Sequence, residues 1–206
     1  MALFHYHFPT IPSTQAYARQ FMHCLKPGYG TEDWFLFSAD QQTQGEGTQK
    51  KPWHSPLGNL SATFAFFIPK SKKECLTEIA QVAMVAMAEV VEAEVSIKPT
   101  IKWINDLLIN HKKVAGALCE SFSSKIFSDH FVILVGVGMN LTLSKADCEQ
   151  IDQPATSLLI ETGKVVDAKP LLEAIRVRLQ AHLQRLLTEG FAYFEKRLTY
   201  FDLLRC

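Results

Sequence analysis

The chain reads Ile101-Lys102-Trp103-Ile104-Asn105-Asp106 and, a few residues later, Lys113-Val114-Ala115-Gly116-Ala117-Leu118. These runs lie in two apolar segments, residues 100–109 and 113–120, which we interpret as strands. Asn110-His111-Lys112 between them is short enough to be a hairpin connection. A hairpin would bring Lys113 back beside the first strand, where Gly116 leaves room for a close ligand.

The charged and amide side chains of the first run need partners, because the segment around them is apolar enough to be interior. If the run is extended, Lys102 and Asp106 share a face about 13 Å apart at roughly 3.3 Å per residue, too far for a simple ion pair. That separation suits a lysine near a carboxylate or phosphate and an acid near a metal-bound phosphate. An Asn-Asp turn explains the spacing equally well. The position of Lys113 favours the functional interpretation.

The rest of the chain alternates between strand and helix patterns. Further strands are predicted at residues 4–9, 34–39, 60–68 and 131–140. Helices are predicted after the N-cap candidate Ser13-Thr14 and at residues 74–93, 171–187 and 191–204. The sum is an α/β fold of the α+β type, with a mixed, mostly antiparallel sheet flanked by helices. No repeat or linker is evident, so we expect a single domain.

Residues 40–58 are interpreted as a loop, and loops of this length are usually functional or disordered. Glycines at 45 and 47 permit backbone N–H groups to turn toward an anion, Lys50 and Lys51 supply charge, and the Trp53 indole can cover a flat ring. A flexible surface loop is the alternative, since neither a Rossmann nor a P-loop pattern follows. The second Gly-x-Gly, at residues 136–138, indicates tight backbone packing at a strand end.

Composition excludes several classes of protein. The chain has 21 basic and 21 acidic residues, so no general attraction to nucleic acid or anionic lipid is expected. No secretion signal or apolar run of about 20 residues is present. Five scattered cysteines without a C-x-x-C pair indicate reduced thiols in a cytoplasmic protein. His5 and His7 offer two metal ligands without an evident third, so a surface strand is the better interpretation.

Together and in this order, the motifs resemble those of the biotin–protein ligase catalytic domain. Ser13-Thr14 is similar to the family's Ser-Thr-Asn, residues 42–53 to its glycine-rich adenylate loop, and residues 102–106 to its Lys-Trp-Pro-Asn-Asp. Residues 113–116 are similar to its Lys-x-x-Gly and residues 136–140 to its Gly-x-Gly-x-Asn. The likeness covers roughly residues 3–190, and five ordered motifs are far more specific than any one of them.

The resemblance implies a fold shared with lipoate ligases and related to class II aminoacyl-tRNA synthetases. It implies that ATP and Mg²⁺ convert biotin to biotinyl-AMP, which then modifies a lysine on the biotin carboxyl carrier protein of acetyl-CoA carboxylase. Pairing of two copies edge to edge is a further implication. No contact with nucleic acid or membrane is expected.

The resemblance also assigns site residues. It implies a biotin site formed by Ser13, Thr14, Gln15, Gln42, Gly45, Gly47, Thr48, Trp53, Lys113 and Gly116. It implies ATP contacts from Gly45, Gly47, Lys50, Lys51, Trp53, Lys102, Asn105 and Asn140. The catalytic residues would be Lys113, Lys102 and Asp106, with Asp106 also near magnesium.

Some positions depart from the family pattern. Glu46, Thr48 and Gln49 stand where the family usually carries arginines, and a carboxylate at 46 would oppose the charge of the ligand. We therefore expect weaker retention of the adenylate. Gln15 replaces an asparagine and Ile104 a proline. Relatives continue into a small SH3-like domain beyond the position of Cys206, and no helix-turn-helix precedes residue 1, so a single catalytic domain over 1–206 without a repressor role is expected.

Two alternatives remain open at this point. A lipoate or octanoyl ligase or transferase shares the fold and the lysine, although Trp103, Asn105 and Asp106 in sequence favour biotin. A catalytically weak biotin- or adenylate-binding protein would fit the altered loop. The presence of both Lys102 and Lys113 argues against the second alternative.

Overall fold

The computed structural model describes residues 1–202 and divides the chain into two compact units. The first comprises Met1–Leu76 and Leu118–Gly138, and the second comprises Thr77–Ala117 and the chain from Met139 onward. The end of the helix predicted at 191–204 and the thiol of Cys206 lie outside the described residues.

Eight strands are found in the described part: β1 (Leu3–Ile11), β2 (Trp34–Glu46), β3 (Pro52–Ser55), β4 (Leu60–Pro69), β5 (Thr100–Lys102), β6 (Asp106–Ile109), β7 (Lys112–Ser123) and β8 (His130–Met139). Its α-helices are α1 (Thr14–His23), α2 (Ile79–Val95), α3 (Lys145–Glu149), α4 (Leu158–Thr162), α5 (Ala168–Glu189) and α6 (Ala192–Phe201). Every strand and helix predicted from the pattern has a counterpart here, although two boundaries differ enough to change the interpretation of the site.

The first unit begins with a parallel pair of strands connected by a helix. β1 runs parallel to β2, with Leu3 beside Trp34 and Ile11 beside Gln42. Parallel neighbours require a crossover, which α1 supplies. Ser13 is the N-cap of α1, as predicted, and its side chain accepts a hydrogen bond from the Ala16 N–H. The start of α1 therefore lies at the carboxyl end of the parallel pair, beside Gln42.

The other strands of this unit extend the sheet by antiparallel pairing of β2 with β4 and β3, and the strand order is β1-β2-β4-β8-β7. The predicted mixed, mostly antiparallel sheet is confirmed. α1 packs on the sheet through a cluster of buried apolar side chains. Its members are Ala18, Met22, Leu25, Phe35, Phe37, Ala65, Phe67, Val132 and Leu134.

The prediction of a loop over residues 40–58 is wrong. β2 continues to Glu46 and forms a hairpin with β3, through a short turn at Thr48–Lys50. Gln49 and Lys50 have φ values of 56° and 61°, the left-handed conformation that lets the chain reverse here. The extension of β2 was missed because its residues are mostly polar and carry no apolar alternation.

In the second unit, β5, β6 and the start of β7 form an antiparallel meander. The prediction of one extended strand over 100–109 is wrong, because the chain turns at residues 103–105 and pairs Lys102 directly with Asp106. The two side chains are cross-strand neighbours rather than 13 Å apart. The predicted hairpin connection is confirmed: Asn110 and His111, with φ of 50° and 61°, connect β6 to β7.

In the second unit α5 and α6 pack against α2, whose small apolar residues are almost all buried. The helix predicted from residue 74 begins at Ile79, after a 3₁₀ segment at Lys70–Thr77. Glu89 of α2 is buried and has its carboxylate 2.9 Å from His182 Nε2, 3.1 Å from Arg178 and 2.8 Å from Arg197. These contacts tie α2 to α5 and α6 through a buried charge, which needs such partners to be tolerated.

Two expectations from composition concern membrane-spanning helices and disulfides. Among residues 1–202 no helix has the length and apolar character needed to cross a bilayer. No disulfide joins Cys24, Cys75, Cys119 and Cys148.

Candidate functional site

A buried polar network lies where α1 begins, in the first unit. Gln42 Oε1 accepts hydrogen bonds from the Thr14 backbone N–H at 2.8 Å and from the Thr14 hydroxyl at 3.0 Å. This contact follows from the register of β1 and β2, since Gln42 pairs with Ile11, three residues before Thr14. Ser13 is buried and occupied as the helix cap. The structure therefore brings together three of the residues predicted to bind biotin.

Thr63 and Gln15 extend this network. The Thr63 hydroxyl lies 3.0 Å from Thr14 Oγ1 and 3.2 Å from Gln15 Oε1 and donates to one of them at a time. Gln15 is 3% exposed, and its Nε2 is a buried donor that completes no hydrogen bond of good geometry. A buried amide donor in this state is suited to a polar ligand that accepts a hydrogen bond from it. Thr63 was not predicted, because a lone threonine in an apolar strand carries no signal.

Two glycines of β8 make room for side chains of this unit. A Cβ atom on Gly136 would lie 2.6 Å from Gln15 Oε1, and one on Gly138 would lie 2.4–2.6 Å from three atoms of the Trp53 indole. Real Cβ atoms do not approach so closely, so an alanine at Gly136 or Gly138 would displace the Gln15 amide or the Trp53 indole. The tight packing predicted for residues 136–138 is thus explained by two side chains, since Gln15 lies against Gly136 and the Trp53 indole against Gly138.

The hairpin β2–β3 carries the remaining residues predicted from the glycine-rich segment. Gly45 is buried, with its backbone so close to the Trp53 carbonyl that a Cβ would lie 2.4 Å from the oxygen. Gly47 is partly buried, whereas Thr48, Lys50 and Lys51 are exposed around the turn. The lysines are therefore free to move toward a ligand anion.

Arg19 and Glu120 form an ion-pair cluster that was not predicted. The Arg19 guanidinium donates to both oxygens of Glu120, at 2.8 and 2.7 Å, and also to Glu46 Oε2 at 2.9 Å. Hydrogen bonding to Arg19 holds the pKa of Glu120 below its ordinary value, with a smaller contribution from Gln15. The Glu46 carboxylate, expected to face the ligand uncompensated, is thus paired with a cation.

The second unit holds the lysine and acid of the other two motifs. The Lys113 ammonium lies 2.6 Å from Asp106 Oδ1, and the two side chains are only 15% and 18% exposed. Lys113 passes over Gly116, where a Cβ would lie 3.3 Å from its Cε. The space predicted at Gly116 is therefore occupied by the lysine chain. Lys102 is exposed on β5 beside Asp106, so the structure does not bury it with Lys113.

The two predicted asparagines are engaged with backbone. Asn105 donates to the Ala117 carbonyl at 3.1 Å. Asn140 is 4% exposed, and its side-chain amide donates to the Thr156 carbonyl at 3.0 Å. Its backbone N–H donates to the Val114 carbonyl. These contacts fix the chain on both sides of Lys113, because Lys113 itself bonds Pro154 and Thr156 through its backbone.

Magnesium finds no complete protein site in residues 1–202. No group of three or more histidine, cysteine, aspartate or glutamate side chains is arranged to hold a metal ion there, and Asp106 is already paired with Lys113. Mg²⁺ commonly binds through substrate phosphates and only one or two carboxylates, which is the only arrangement these residues allow.

The first unit carries a buried amide-rich network, and the second carries a largely buried lysine–aspartate pair. Residues 9–140 match the biotin/lipoate A/B protein ligase family. The chain belongs to that family.

Individual relatives agree. The chain is 33% identical over 187 residues to the bifunctional ligase/repressor BirA of Bacillus spizizenii, covering 88% of this chain and 54% of that protein. It is 31% identical over 173 residues to the biotin–[acetyl-CoA-carboxylase] ligase of Paracoccus denitrificans, covering 82% and 70%. The chain spans about half the length of the BirA proteins it matches.

A solved structure of the biotin protein ligase from Aquifex aeolicus, in complex with biotin and ATP, has the same fold. Its TM-score is 0.78 at 28% identity, and the match covers 97% of this chain and 78% of the other. The predicted fold class is confirmed.

Proposed function

We propose that the chain is the catalytic part of an ATP-dependent biotin–protein ligase. In the first step a biotin carboxylate oxygen attacks the α-phosphorus of ATP, the bond to pyrophosphate breaks, and biotinyl-AMP forms. In the second step the neutral amine of a carrier lysine attacks the acyl carbon. The bond to AMP then breaks, and an amide, AMP and a proton result.

One observation carries this proposal: the largely buried ion pair between Lys113 and Asp106. Joining two anions requires fixed positive charge near the reacting oxygens, and an ammonium held in place before the substrate arrives needs no reorganisation. The Asp106 carboxylate lies 2.6 Å from the Lys113 ammonium and holds it in place. Lys113 is the lysine of the Lys-x-x-Gly motif. Lys113 would stabilise the carboxylate and the α-phosphate, and the exposed Lys102 would reach the outer phosphates.

The ureido ring of biotin offers both N–H donors and a carbonyl acceptor. The network of Thr14, Gln15, Gln42 and Thr63 offers the complementary groups, including the incompletely bonded Gln15 Nε2. The ring would therefore bind there, with Ser13 holding the start of α1. This assignment keeps the sequence prediction for the biotin head group and adds Thr63 to it.

The hairpin would hold the nucleotide. Trp53 offers an indole ring for adenine, Gly45 and Gly47 add no side chain that would block a ligand, and Lys50 and Lys51 offer charge. The Gly47 N–H already donates to the Lys51 carbonyl at 2.8 Å, so the lysines would provide the phosphate contacts. Asn140 would act indirectly, because its amide is occupied with backbone. Magnesium would arrive with ATP and provide charge to the phosphates.

The carrier is proposed to be a biotin carboxyl carrier protein. The P. denitrificans relative is named for acetyl-CoA carboxylase, which supports that choice. A cytoplasmic location, self-association through a sheet edge and the absence of nucleic-acid or membrane contacts remain predictions from the sequence.

Biotin-dependent exchange of labelled pyrophosphate into ATP tests the proposal. Exchange with biotin, none with lipoate, and its loss in Lys113→Ala are expected. Exchange with lipoate instead would identify a lipoate-type ligase. Biotin binding without exchange would identify a binding protein and contradict the assigned role of Lys113.

A further inference from the structure

Arg19 connects three parts of the first unit. It projects from α1, bonds Glu120 of β7 in a bidentate manner, and uses the same Nη2 atom to bond Glu46, near the end of β2. A bidentate guanidinium is held in one orientation, since both of its parallel bonds must be kept together. Glu120 therefore fixes the direction from which Arg19 reaches Glu46.

The hairpin is held at successive points by α1 and by Pro12 just before it, and Glu46 is the last of these points. Gln42 accepts from Thr14, and the Gln44 N–H donates to the Pro12 carbonyl at 2.8 Å. The ion pair between Glu46 and Arg19 follows, at 2.9 Å, and the exposed turn lies beyond it. Removing the last contact would lengthen the part of the hairpin that can move.

Gln15 and Arg19 lie four residues apart on α1, so they are neighbours on one face of the helix. Gln15 reaches toward Gly136 and the buried network, while Arg19 reaches the hairpin. The same helical face therefore supports both predicted ligand sites of this unit.

We propose that Arg19 is a positioning residue that holds the β2–β3 hairpin in place before any nucleotide binds. Its guanidinium, shared with Glu120, also offsets part of the negative charge of the Glu46 carboxylate beside the turn. The effect of Arg19 on nucleotide binding rests on the proposed function, whereas the anchoring of the hairpin does not. The hairpin is then anchored by an ion pair within the protein rather than by arginine–phosphate contacts.

Limited proteolysis tests the anchoring without requiring activity. Lys50 lies in the turn, and trypsin cleaves after it, whereas the bond after Lys51 precedes Pro52 and resists cleavage. Glu46→Gln should speed cleavage after Lys50 roughly three- to fivefold, the ratio expected for loss of a partly exposed ion pair. Arg19→Lys, which keeps the charge but loses the bidentate fork, should give a smaller increase.

The matched control is Glu173→Gln, which removes a carboxylate from an arginine pair on α5 in the other unit. It should leave cleavage after Lys50 unchanged. Equal cleavage in wild type, Glu46→Gln and Arg19→Lys would overturn the proposed anchoring. Circular dichroism shows whether each variant is folded before the comparison is made.

Kinetics test the positioning role. Glu46→Gln should raise the KM for ATP about threefold or more, with kcat and the Kd for biotin little changed, because only the hairpin is released. Faster cleavage with an unchanged KM would contradict the link to the nucleotide. If the wild type shows no exchange at all, the proposed function fails, while the cleavage result still decides whether Arg19 anchors the hairpin.

Discussion

Lys113 and Asp106 form their ion pair diagonally across two neighbouring strands. Asp106 is the cross-strand partner of Gly116, while Lys113 pairs with Leu108. The lysine chain thus crosses over the side-chain-free Gly116 to reach the carboxylate. The three residues act together: the glycine provides the path, the acid provides the end point and the lysine provides the charge.

Asp106→Asn should lower the kcat of pyrophosphate exchange about 100-fold, because the ammonium is no longer held in position and misplacement by about 1 Å can have that effect. Steady-state exchange rates measure it. Asp129→Asn, at an exposed carboxylate of the other unit, is the control and should behave as wild type. Equal exchange rates in Asp106→Asn and Asp129→Asn would show that Asp106 does not act at the site.

Gly136→Ala should weaken biotin binding about tenfold or more. The new methyl group would lie 2.6 Å from Gln15 Oε1 and would displace that amide, and overpacking of a filled interior costs about 1–3 kcal/mol. Isothermal titration with biotin provides the Kd. Gly163 has a φ of +70°, where alanine is strained, so Gly163→Ala is not a suitable control. Ala18→Gly removes a buried methyl group from α1 and serves as the control for a general loss of stability. A Kd unchanged in Gly136→Ala would show that Gln15 does not contact biotin.

Thr63→Val keeps the shape of the side chain but removes the hydroxyl shared by Thr14 and Gln15. The buried acceptor Gln15 Oε1 loses its donor, so biotin affinity should fall by about 1–3 kcal/mol. Thr142→Val, in the other unit, should leave it unchanged. If the affinity survives Thr63→Val, the network is structural only.

Adenylate retention should be weak. Thr48 and Gln49 stand where the family usually has arginines, and the nearby lysines are exposed. Release of radiolabelled biotinyl-AMP measures this, and Thr48→Arg should slow it. A release rate as slow as in arginine-bearing relatives would contradict the expectation.

Stability should decrease in acid because of Glu89. Burial raises the pKa of its carboxyl, but His182, Arg197 and Arg178 outweigh burial and leave the pKa below the ordinary value. The unfolded chain then binds the proton more readily, so this stabilisation is full above about pH 4.5 and is lost as the pH falls below it. Urea unfolding between pH 7 and 3 measures the change. Glu89→Gln should lose about 3 kcal/mol at pH 7 and show a weaker dependence on pH.

Apolar pattern was sufficient to predict the strands and helices with buried faces, and Ser13 was a reliable helix start. The apolar pattern failed at the end of β2, where Gln42 is held by Thr14 and Gln44 by Pro12 rather than by an apolar face. It also failed at residues 103–105, where a turn interrupts an apolar run. The contact between Arg19 and Glu120 was missed because the two residues lie 101 positions apart in the sequence.

The parallel pairing of β1 with β2 has a consequence for how the first unit tolerates change. Thr14 marks the end of α1 that adjoins Gln42, and ten residues at roughly 1.5 Å each carry the other end about 15 Å away. Residues 24–33, which connect that far end to β2, are therefore remote from the polar network. Leu25 of this connection belongs to the core, but residues 26–28 are exposed. Insertions or labels at 26–28 would leave biotin recognition intact, so the chain offers a permissive position for a reporter on its binding unit.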